Sequence, residues 1–449
     1  MTVQPTDLFA ARVPRYTSYP TAPHFHAGID HNIYRGWLAE MEPGLPLSLY
    51  CHIPFCDTLC WFCGCHTTVV NRYGPVSAYR DLLLKEIGLV SAALSPDHPV
   101  THIQWGGGSP TMLKTGDIAV LSRTLRDRFA VTKDCEFAVE IDPRGFSESI
   151  AEAFMAAGLT RASIGLQDSD PTVQRAINRM QSNEETAQAV AMLRNMGVTS
   201  INLDLVYGLP YQNIERFRHT VEFALSLDPD RVATFGYAHV PHFKKHQQLI
   251  PESALPGIEE RLAEAQLART MFEAAGYRSI GLDHFAKPGD SLSTAQREGR
   301  LGRNFQGYTS DDAPALIGLG ASAISALPQG YAQNIAGVPD YRKAIEDERL
   351  PIARGIALTD EDRMRRRVIE NLMCDLRVDL DSVTAEFGHS RVALQDAMDD
   401  LRSLERKGAI TIENGIISVH DEWRSAVRLI CASFDSYLGQ PTDRHALAI

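Results

Sequence analysis

The sequence predicts an α/β protein. A partial (β/α)6 TIM-like barrel at residues 46–350 is preceded by an N-terminal arm at 1–45. It is followed by a smaller, mostly helical, winged-helix-like domain at 351–449. Three observations carry this prediction. Six short apolar runs punctuate the middle of the chain, amphipathic stretches with capping and stop signals lie between them, and the last hundred residues change to helices followed by a hairpin pattern. Strands alternating with helices over short connections imply a parallel sheet with right-handed crossovers. Six units are fewer than the eight of a closed barrel, and a doubly wound open sheet is the alternative.

Taken in order, the arm has few helix or strand signals. Its centre, Arg15-Tyr16-Thr17-Ser18-Tyr19-Pro20-Thr21-Ala22, alternates aromatic and small polar residues around a proline, which suits an extended segment docked on the main domain. The apolar runs at 47–55, 102–105, 137–141, 161–166, 201–206 and 232–237 are short enough to be buried strands. Between them, Ser182-Asn183-Glu184-Glu185 reads as a capping-box helix start, and Gly158, Gly197 and Gly276 read as helix stops. A further strand is expected near 281–286 at the barrel edge, and 303–308 and 318–325 read as glycine-rich loops. In the last hundred residues Thr359-Asp360-Glu361-Asp362 opens a helix through Leu372, and more helices follow around 380–387 and 392–407. Asn414-Gly415 then turns 409–412 back onto 416–419.

Composition narrows the function. The formal charge of −12 argues against general affinity for nucleic acid or acidic membranes. No run reaches the roughly 18 apolar residues of a membrane helix, and the first twenty residues lack a signal-peptide pattern. The expectation is a soluble, cytoplasmic monomer without nucleic-acid or membrane partners, in which a winged-helix-like domain is a lid or scaffold.

Four of the eight cysteines fall within Cys56-Asp57-Thr58-Leu59-Cys60-Trp61-Phe62-Cys63-Gly64-Cys65, on the loop leaving the first predicted strand. Loops at the carboxyl ends of parallel strands are where active sites of such folds gather. C-x3-C-x2-C spacing turns three sulfurs toward one centre. A structural zinc site needs four closed ligands, a disulfide cluster needs an oxidising compartment, and an iron–sulfur cluster needs thiolates. No second C-x2-C knuckle is present, so spacing favours iron–sulfur over zinc. The other predicted strand ends also carry polar or glycine-rich groups. They are Gly106-Gly107-Gly108-Ser109, Glu140-Ile141-Asp142-Pro143-Arg144, Gln167-Asp168, Asp204 with Tyr207-Gly208, and Tyr237-Ala238-His239. Each has a plain structural reading: a tight turn for the glycines, capping or ion pairing for Glu140 and Asp204, a solvated helix position for Arg179, and a hydrogen-bonded structural role for His239.

The cysteine spacing, with Phe62 before the third cysteine, resembles that of the radical S-adenosylmethionine enzymes. The resemblance implies that Cys56, Cys60 and Cys63 hold three irons of one 4Fe-4S cluster, with the fourth iron open to S-adenosylmethionine. The Cys63-Gly64-Cys65 ending, the arm at 15–22, and the stretches WGGGSPT, EIDPR, GLQD, DLVYGLP, YAHVP, GLDHFA, RNFQGYT and YAQN resemble the oxygen-independent coproporphyrinogen III oxidases across nearly the whole chain. That family binds two S-adenosylmethionine molecules. The resemblance places Tyr50, Phe62, Gly107 and Glu140 at the first, and Gly108, Ser109, Gln167, Arg179, Asp204, Ala238 and Ile324 at the second. Ser109 departs from the family's usual threonine but keeps the hydroxyl.

The implied reaction turns two propionates of coproporphyrinogen III into vinyl groups, giving protoporphyrinogen IX, through a 5′-deoxyadenosyl radical. The implied partners are that substrate, an electron donor such as flavodoxin or ferredoxin, and an unidentified electron acceptor. Cys65, outside the three-ligand set, and Arg303, whose guanidinium fork matches a carboxylate, are the catalytic candidates. A haem chaperone or haem-degrading relative is the alternative, although such relatives usually lack a cysteine at position 65 and the arm. A zinc-stabilised DNA-binding regulator is the rival from another class.

Overall fold

The computed structural model describes Phe9 and residues 11–439. Its centre is one sheet of twelve strands: β1 Leu47–Ile53, β2 Pro99–Gly107, β3 Ala130–Ile141, β4 Arg161–Gln167, β5 Ser200–Tyr207, β6 Arg231–Gly236, β7 Arg278–Ile280, β8 His284–Ala286, β9 Ala315–Leu319, β10 Ile324–Leu327, β11 Gly330–Asn334 and β12 Ile352–Ala357. Their spatial order is β12-β11-β10-β9-β1-β2-β3-β4-β5-β6-β8-β7. β9 and β1 to β6 run parallel to one another. The flanking strands are antiparallel.

The sheet stays open, as an incomplete barrel requires. Two features were not expected. The six expected strands are joined by a seventh parallel strand, β9. Its five residues, Ala-Leu-Ile-Gly-Leu, include a glycine and overlap the expected loop 318–325, whose two ends are strand here, so local pattern gives a weak signal. Pairing with β1, from Leu47 opposite Ala315 to Cys51 opposite Leu319, makes it a strand. The arm also contains an unforeseen helix, His31–Ala39. Asp30 caps it by accepting from the amides of Asn32 and Ile33, and it buries Tyr34, Trp37 and Leu38.

Six helices follow β1 to β6 in turn: α1 Gly74–Ser91, α2 Thr115–Arg128, α3 Glu148–Ala157, α4 Asn183–Asn195, α5 Ile214–Ser226 and α6 Ile258–Ala274. Ser182 forms the expected capping box with Glu185, and Gly158 ends α3 at φ 97°. β1 is buried along nearly its whole length, as expected of a parallel strand covered on both faces. β4 instead alternates buried and half-buried residues. Along β2 to β5, apolar side chains such as Trp105, Val139, Ile164 and Leu203 join the buried core. The intervening Gln104, Glu140, Ser163, Asn202 and Asp204 line a polar cavity. This alternation gives the sheet one face for the core and one for chemistry.

Beyond the sheet, whose last strand runs past position 350, lie helices Asp360–Asp375, Leu380–Glu386 and Met398–Arg406. A three-stranded sheet, Arg377–Asp379, Ile416–Val419 and Ile410–Glu413, packs with them. Asn414 (φ 51°) and Gly415 (φ 83°) make the expected hairpin turn. The arm lies against the stretch 423–436. Tyr16 donates to Asp435, the hydroxyls of Tyr19 and Ser436 share a hydrogen bond, Arg428 donates to the carbonyls of Val13 and Pro14, and Phe9 stacks on Trp423. Among the described residues no helix is long and apolar enough to cross a membrane.

Candidate active site

Pro54 ends β1, and the chain enters the cysteine loop. Phe55 and Cys56 then pair with Thr68 and Val69 in a two-residue ladder that closes the loop at its base. The loop is tied down from outside: the Trp61 amide donates to the Ile177 carbonyl at 2.8 Å, and Asn178 Nδ2 to the Leu59 carbonyl at 2.9 Å.

All eight cysteines are free thiols. Each of the three expected ligands accepts a hydrogen bond. Cys56 Sγ accepts from Thr67 Oγ1 at 3.2 Å and Cys63 Sγ from the Cys65 amide at 3.4 Å. Cys60 Sγ accepts from Arg179 Nη1 at 3.6 Å and Arg144 Nη2 at 3.7 Å. Donors aimed at sulfur suit thiolates holding a cluster and tune its potential. A hydrogen bond from the Cys65 thiol pulls the Cys63 thiol down, with Lys244 and Arg179 adding positive charge. Among the described residues no three His, Cys, Asp or Glu side chains converge to hold a single ion. A cluster asks for less convergence, because each thiolate can bind its own iron. These three cysteines therefore fit a 4Fe-4S cluster, the centre that radical S-adenosylmethionine enzymes use.

Both arginines beside Cys60 are held by Asp142, at 2.6 Å from Arg144 Nη2 and 3.2 Å from Arg179 Nη1. Burial alone would raise the Asp142 carboxyl; the two guanidiniums outweigh it and leave the group below its ordinary range. Sequence reasoning placed Asp142 and Arg144 at a strand end without a role.

The glycine run makes its close approaches with almost no space to spare. A Cβ on Gly106 would stand 2.3 Å from Glu140 Oε1, and one on Gly107 2.4 Å from the His52 ring. One on Gly108 would stand 2.5 Å from the Phe55 carbonyl oxygen. Gly107 also has φ 110°, a region that side chains rarely adopt. The freed backbone is used: the Gly107 amide donates to Glu140 Oε2 at 3.0 Å, and the Ser109 amide to the Phe55 carbonyl at 2.7 Å. Burial pushes Glu140 up to about 7. Tyr50 meets His52 Nδ1 at 3.0 Å, while Nε2 reaches the His66 carbonyl at 2.9 Å. Because a carbonyl only accepts, Nε2 carries the proton and the Tyr50 hydroxyl donates. Burial pulls His52 down to about 4, so the ring is neutral at physiological pH.

The remaining expected residues fall into groups. Asp204 accepts from Ser163 Oγ at 2.9 Å and Asn202 Nδ2 at 2.8 Å, and burial raises its carboxyl. It shares the polar cavity with Glu140. Gln167, at φ 65°, closes β4 beside Arg179, whose Nη2 donates to the Gly165 carbonyl at 2.7 Å. Phe62 packs in an apolar cluster with Ile177, Val206 and Tyr237. Ala238 follows β6 and lines a second cavity, of about 430 Å³. Ile324 packs against the cluster of Phe25, Tyr331, Ile356 and Leu358, and its backbone lies against Gly318, the β9 residue opposite Tyr50.

That second cavity joins the two catalytic candidates: Cys65 and Arg303 both line it, with Arg15, Asp283 and Arg428. Arg303 lies over the Tyr308 ring at 4.5 Å and donates through Nη2 to the Arg15 carbonyl at 3.4 Å. Its Nε and Nη1 are buried without a hydrogen-bond partner. Arg15 Nη2 caps the Gly236 carbonyl at 2.8 Å, and Asp283 accepts from His284 Nδ1 at 2.8 Å. Sequence reasoning missed Arg15, Asp283 and Arg428 as cavity residues. Arg15 sits inside the arm run and Asp283 inside GLDHFA, so both signals were present, but Arg428 lies in no quoted motif.

Residues 50–224 match the Radical SAM superfamily, and residues 358–422 match the HemN C-terminal domain. The chain is 45% identical over 438 residues to the oxygen-independent coproporphyrinogen III oxidase of Bradyrhizobium diazoefficiens, covering 98% of this chain and 97% of that one. It is 44% identical to the enzyme of the same name from Paracoccus denitrificans, over 96% and 95% of the two chains. The solved structure of coproporphyrinogen III oxidase (HemN) from Escherichia coli, described as a radical SAM enzyme, superposes with a TM-score of 0.90. It shares 36% identity and covers 95% of this chain and 100% of that one. With relatives at this identity over almost its full length, the chain belongs to the oxygen-independent coproporphyrinogen III oxidase family of radical S-adenosylmethionine enzymes.

Proposed function

We propose that this enzyme converts two propionate side chains of coproporphyrinogen III to vinyl groups without oxygen, giving protoporphyrinogen IX. Each propionate gives up a β-hydrogen, carbon dioxide and one electron. The observation that carries this reading is the cavity in which Cys65 from the cysteine loop meets Arg15, Arg303 and Arg428 from three other parts of the chain. Three guanidiniums against the single carboxylate of Asp283 suit an anionic, multiply carboxylated substrate.

Cys56, Cys60 and Cys63 are the ligands of the 4Fe-4S cluster in this reading. When bound, the cluster and S-adenosylmethionine supply the one-electron chemistry that removes hydrogen from an unactivated carbon, which no side chain can do. Tyr50, Phe62, Gly107 and Glu140 hold the cluster-bound S-adenosylmethionine. Gly107 permits a close approach of the backbone, and Glu140, held by the Gly107 amide, offers a carboxyl group to a cationic group. Gly108, Ser109, Gln167, Arg179, Asp204, Ala238 and Ile324 hold the second molecule. Arg303 grips a substrate carboxylate, and Cys65 faces the substrate at the cavity wall. The arm and the C-terminal segment supply Arg15, Thr17, Ser425 and Arg428 to the cavity wall, and a walled site protects a reactive centre from stray hydrogen donors. The electron donor is a low-potential carrier such as flavodoxin or ferredoxin.

The test is anaerobic. The cluster is reconstituted, and reductant, S-adenosylmethionine and coproporphyrinogen III are added. The divinyl product is expected. Cleavage of S-adenosylmethionine without that product would move the enzyme to its haem-handling relatives.

A further inference from the structure

The segment 240–249, Val-Pro-His-Phe-Lys-Lys-His-Gln-Gln-Leu, lies directly on the cysteine loop. Three of its side chains bond to loop carbonyls. Gln247 Nε2 donates to Phe62 at 3.1 Å, His246 Nε2 to Cys63 at 2.8 Å, and Lys244 Nζ to Cys65 at 2.9 Å. Gln247 is buried and also fixes its own segment, accepting from the Val240 amide at 2.6 Å and donating to the Ala238 carbonyl at 3.2 Å. The outer side of this anchored segment is unlike a typical surface loop. Phe243 is 57% exposed and Leu249 56%, and His242 and Lys245 are exposed beside them.

Charge sharpens the contrast. The whole chain carries 56 acidic against 44 basic residues, yet 240–249 contains two lysines, two histidines and no carboxylate. Acidic groups on adjoining elements are Asp57, exposed on the cysteine loop, and Glu252, which His239 Nε2 approaches at 3.1 Å. An apolar spot beside the exposed Lys245, bonded through one layer of side chains to the loop that carries Cys63, suits a surface for receiving an electron. Cationic rims steer acidic partners and set association rates, and an exposed aromatic is the type of residue that anchors an interface.

We propose that segment 240–249 is the docking surface for a small acidic one-electron carrier protein, with Phe243 as its apolar anchor and Lys245 as its charge contact. On docking, the reduced carrier gives up one electron and the cluster gains it; no atoms are exchanged. The inference rests on the reading that the cysteine loop holds the cluster.

Acidic flavodoxin is the probe. Its binding to the purified holoenzyme is followed by flavin fluorescence at two salt concentrations, beside turnover driven by flavodoxin or by dithionite. Lys245→Glu and Phe243→Ser should each weaken binding about ten-fold or more, and the wild-type affinity should fall with salt. Both variants should keep dithionite-driven turnover. Unchanged flavodoxin affinity in the variants overturns the proposal, as does salt-insensitive binding. Equal loss of dithionite-driven turnover overturns it too, because the segment would then act on the site and not on a partner. A change in self-association without a change in flavodoxin binding reassigns the patch to contacts between copies. If the wild type lacks dithionite-driven turnover while flavodoxin binding behaves as expected, the function reading fails and the docking surface stands.

Discussion

Tyr16 donates its hydroxyl to Asp435 Oδ2 at 3.0 Å, a bond between residues 419 positions apart. With Arg428 on the Val13 and Pro14 carbonyls, it holds the arm in place and keeps Arg15 at the cavity wall. Tyr16→Phe removes one donor from a buried carboxylate, a loss of about 1–3 kcal/mol. Thermal melts of the variant should show a lower Tm, and the arm should be cut sooner in limited proteolysis. KM for coproporphyrinogen III should rise while iron content stays at the wild-type level. Wild-type melting together with wild-type KM would show that the clamp has no bearing on the arm.

Arg303 presents two buried guanidinium nitrogens, Nε and Nη1, that find no hydrogen-bond partner among the described residues, while its Nη2 reaches the Arg15 carbonyl and its face lies over Tyr308. Burying polar hydrogens without acceptors destabilises a fold, and a substrate carboxylate would relieve that cost. Arg303→Leu should therefore melt no lower than wild type yet raise KM about ten-fold or more, since hydrogen bonds to charged groups contribute about 1.5–3 kcal/mol. Arg303→Lys should fall between them, because an ammonium keeps the charge and loses the fork. Unchanged KM in the leucine variant removes Arg303 from substrate binding.

Cys60 is the most enclosed of the three expected ligands, with Arg144 and Arg179 directed at its sulfur. Cys60→Ala should lose the iron–sulfur absorbance and turnover together after anaerobic reconstitution. Wild-type activity in this variant would mean that the ligand set has been misassigned.

How much of this was legible in the sequence follows from which signals are local. The cysteine loop, the Ser182 capping box and the Asn414-Gly415 turn were legible because each depends on neighbours within a few residues. β9 was not, because a five-residue run with a glycine becomes a strand only when β1 supplies its partner. The helix His31–Ala39 hid behind a mid-helix glycine, and its formation rests on the Asp30 cap and the burial of Trp37. The number of strands was enough to read an incomplete barrel, but its antiparallel edges, β7 and β12, were not legible because distant neighbours set their pairing. In the site, strand-end motifs exposed one residue each. Arg428 became visible only when the fold brought it against the arm at Val13 and Pro14.

Glu86 lies on α1, 1% exposed, and accepts from the Gly320 amide, Asn334 Nδ2 and the Tyr341 hydroxyl, each at 2.6 Å. Burial outweighs these donors and pushes its carboxyl up to about 7 from an ordinary 4.5. The folded state therefore binds a proton between about pH 4.5 and 7 that the unfolded chain has released. Stability is full below the lower value and falls as pH rises through the upper one, by about 3 kcal/mol for this group. Melting temperature should decline from pH 5 to pH 8, and less steeply in Glu86→Gln. Parallel profiles for the two proteins would show that Glu86 does not titrate in this window.

Gly107 links the cysteine loop to the second strand's end. Its φ of 110° and the His52 ring 2.4 Å from any added Cβ mean that even alanine must move something. The backbone strain alone is of order 1–3 kcal/mol. The ring that must move is also the one that accepts from Tyr50 and donates to the His66 carbonyl, and the same glycine's amide bonds Glu140. One methyl group thus disturbs three residues expected at the cluster-bound S-adenosylmethionine. The Cys56–Cys63 part of the loop keeps its separate ties to Ile177 and Asn178. Gly107→Ala should accordingly assemble a cluster with near wild-type absorbance, yet bind S-adenosylmethionine at least about ten-fold more weakly in equilibrium titration. Equal loss of iron and of affinity would mean that the glycine supports the loop as a whole and not the cofactor contact.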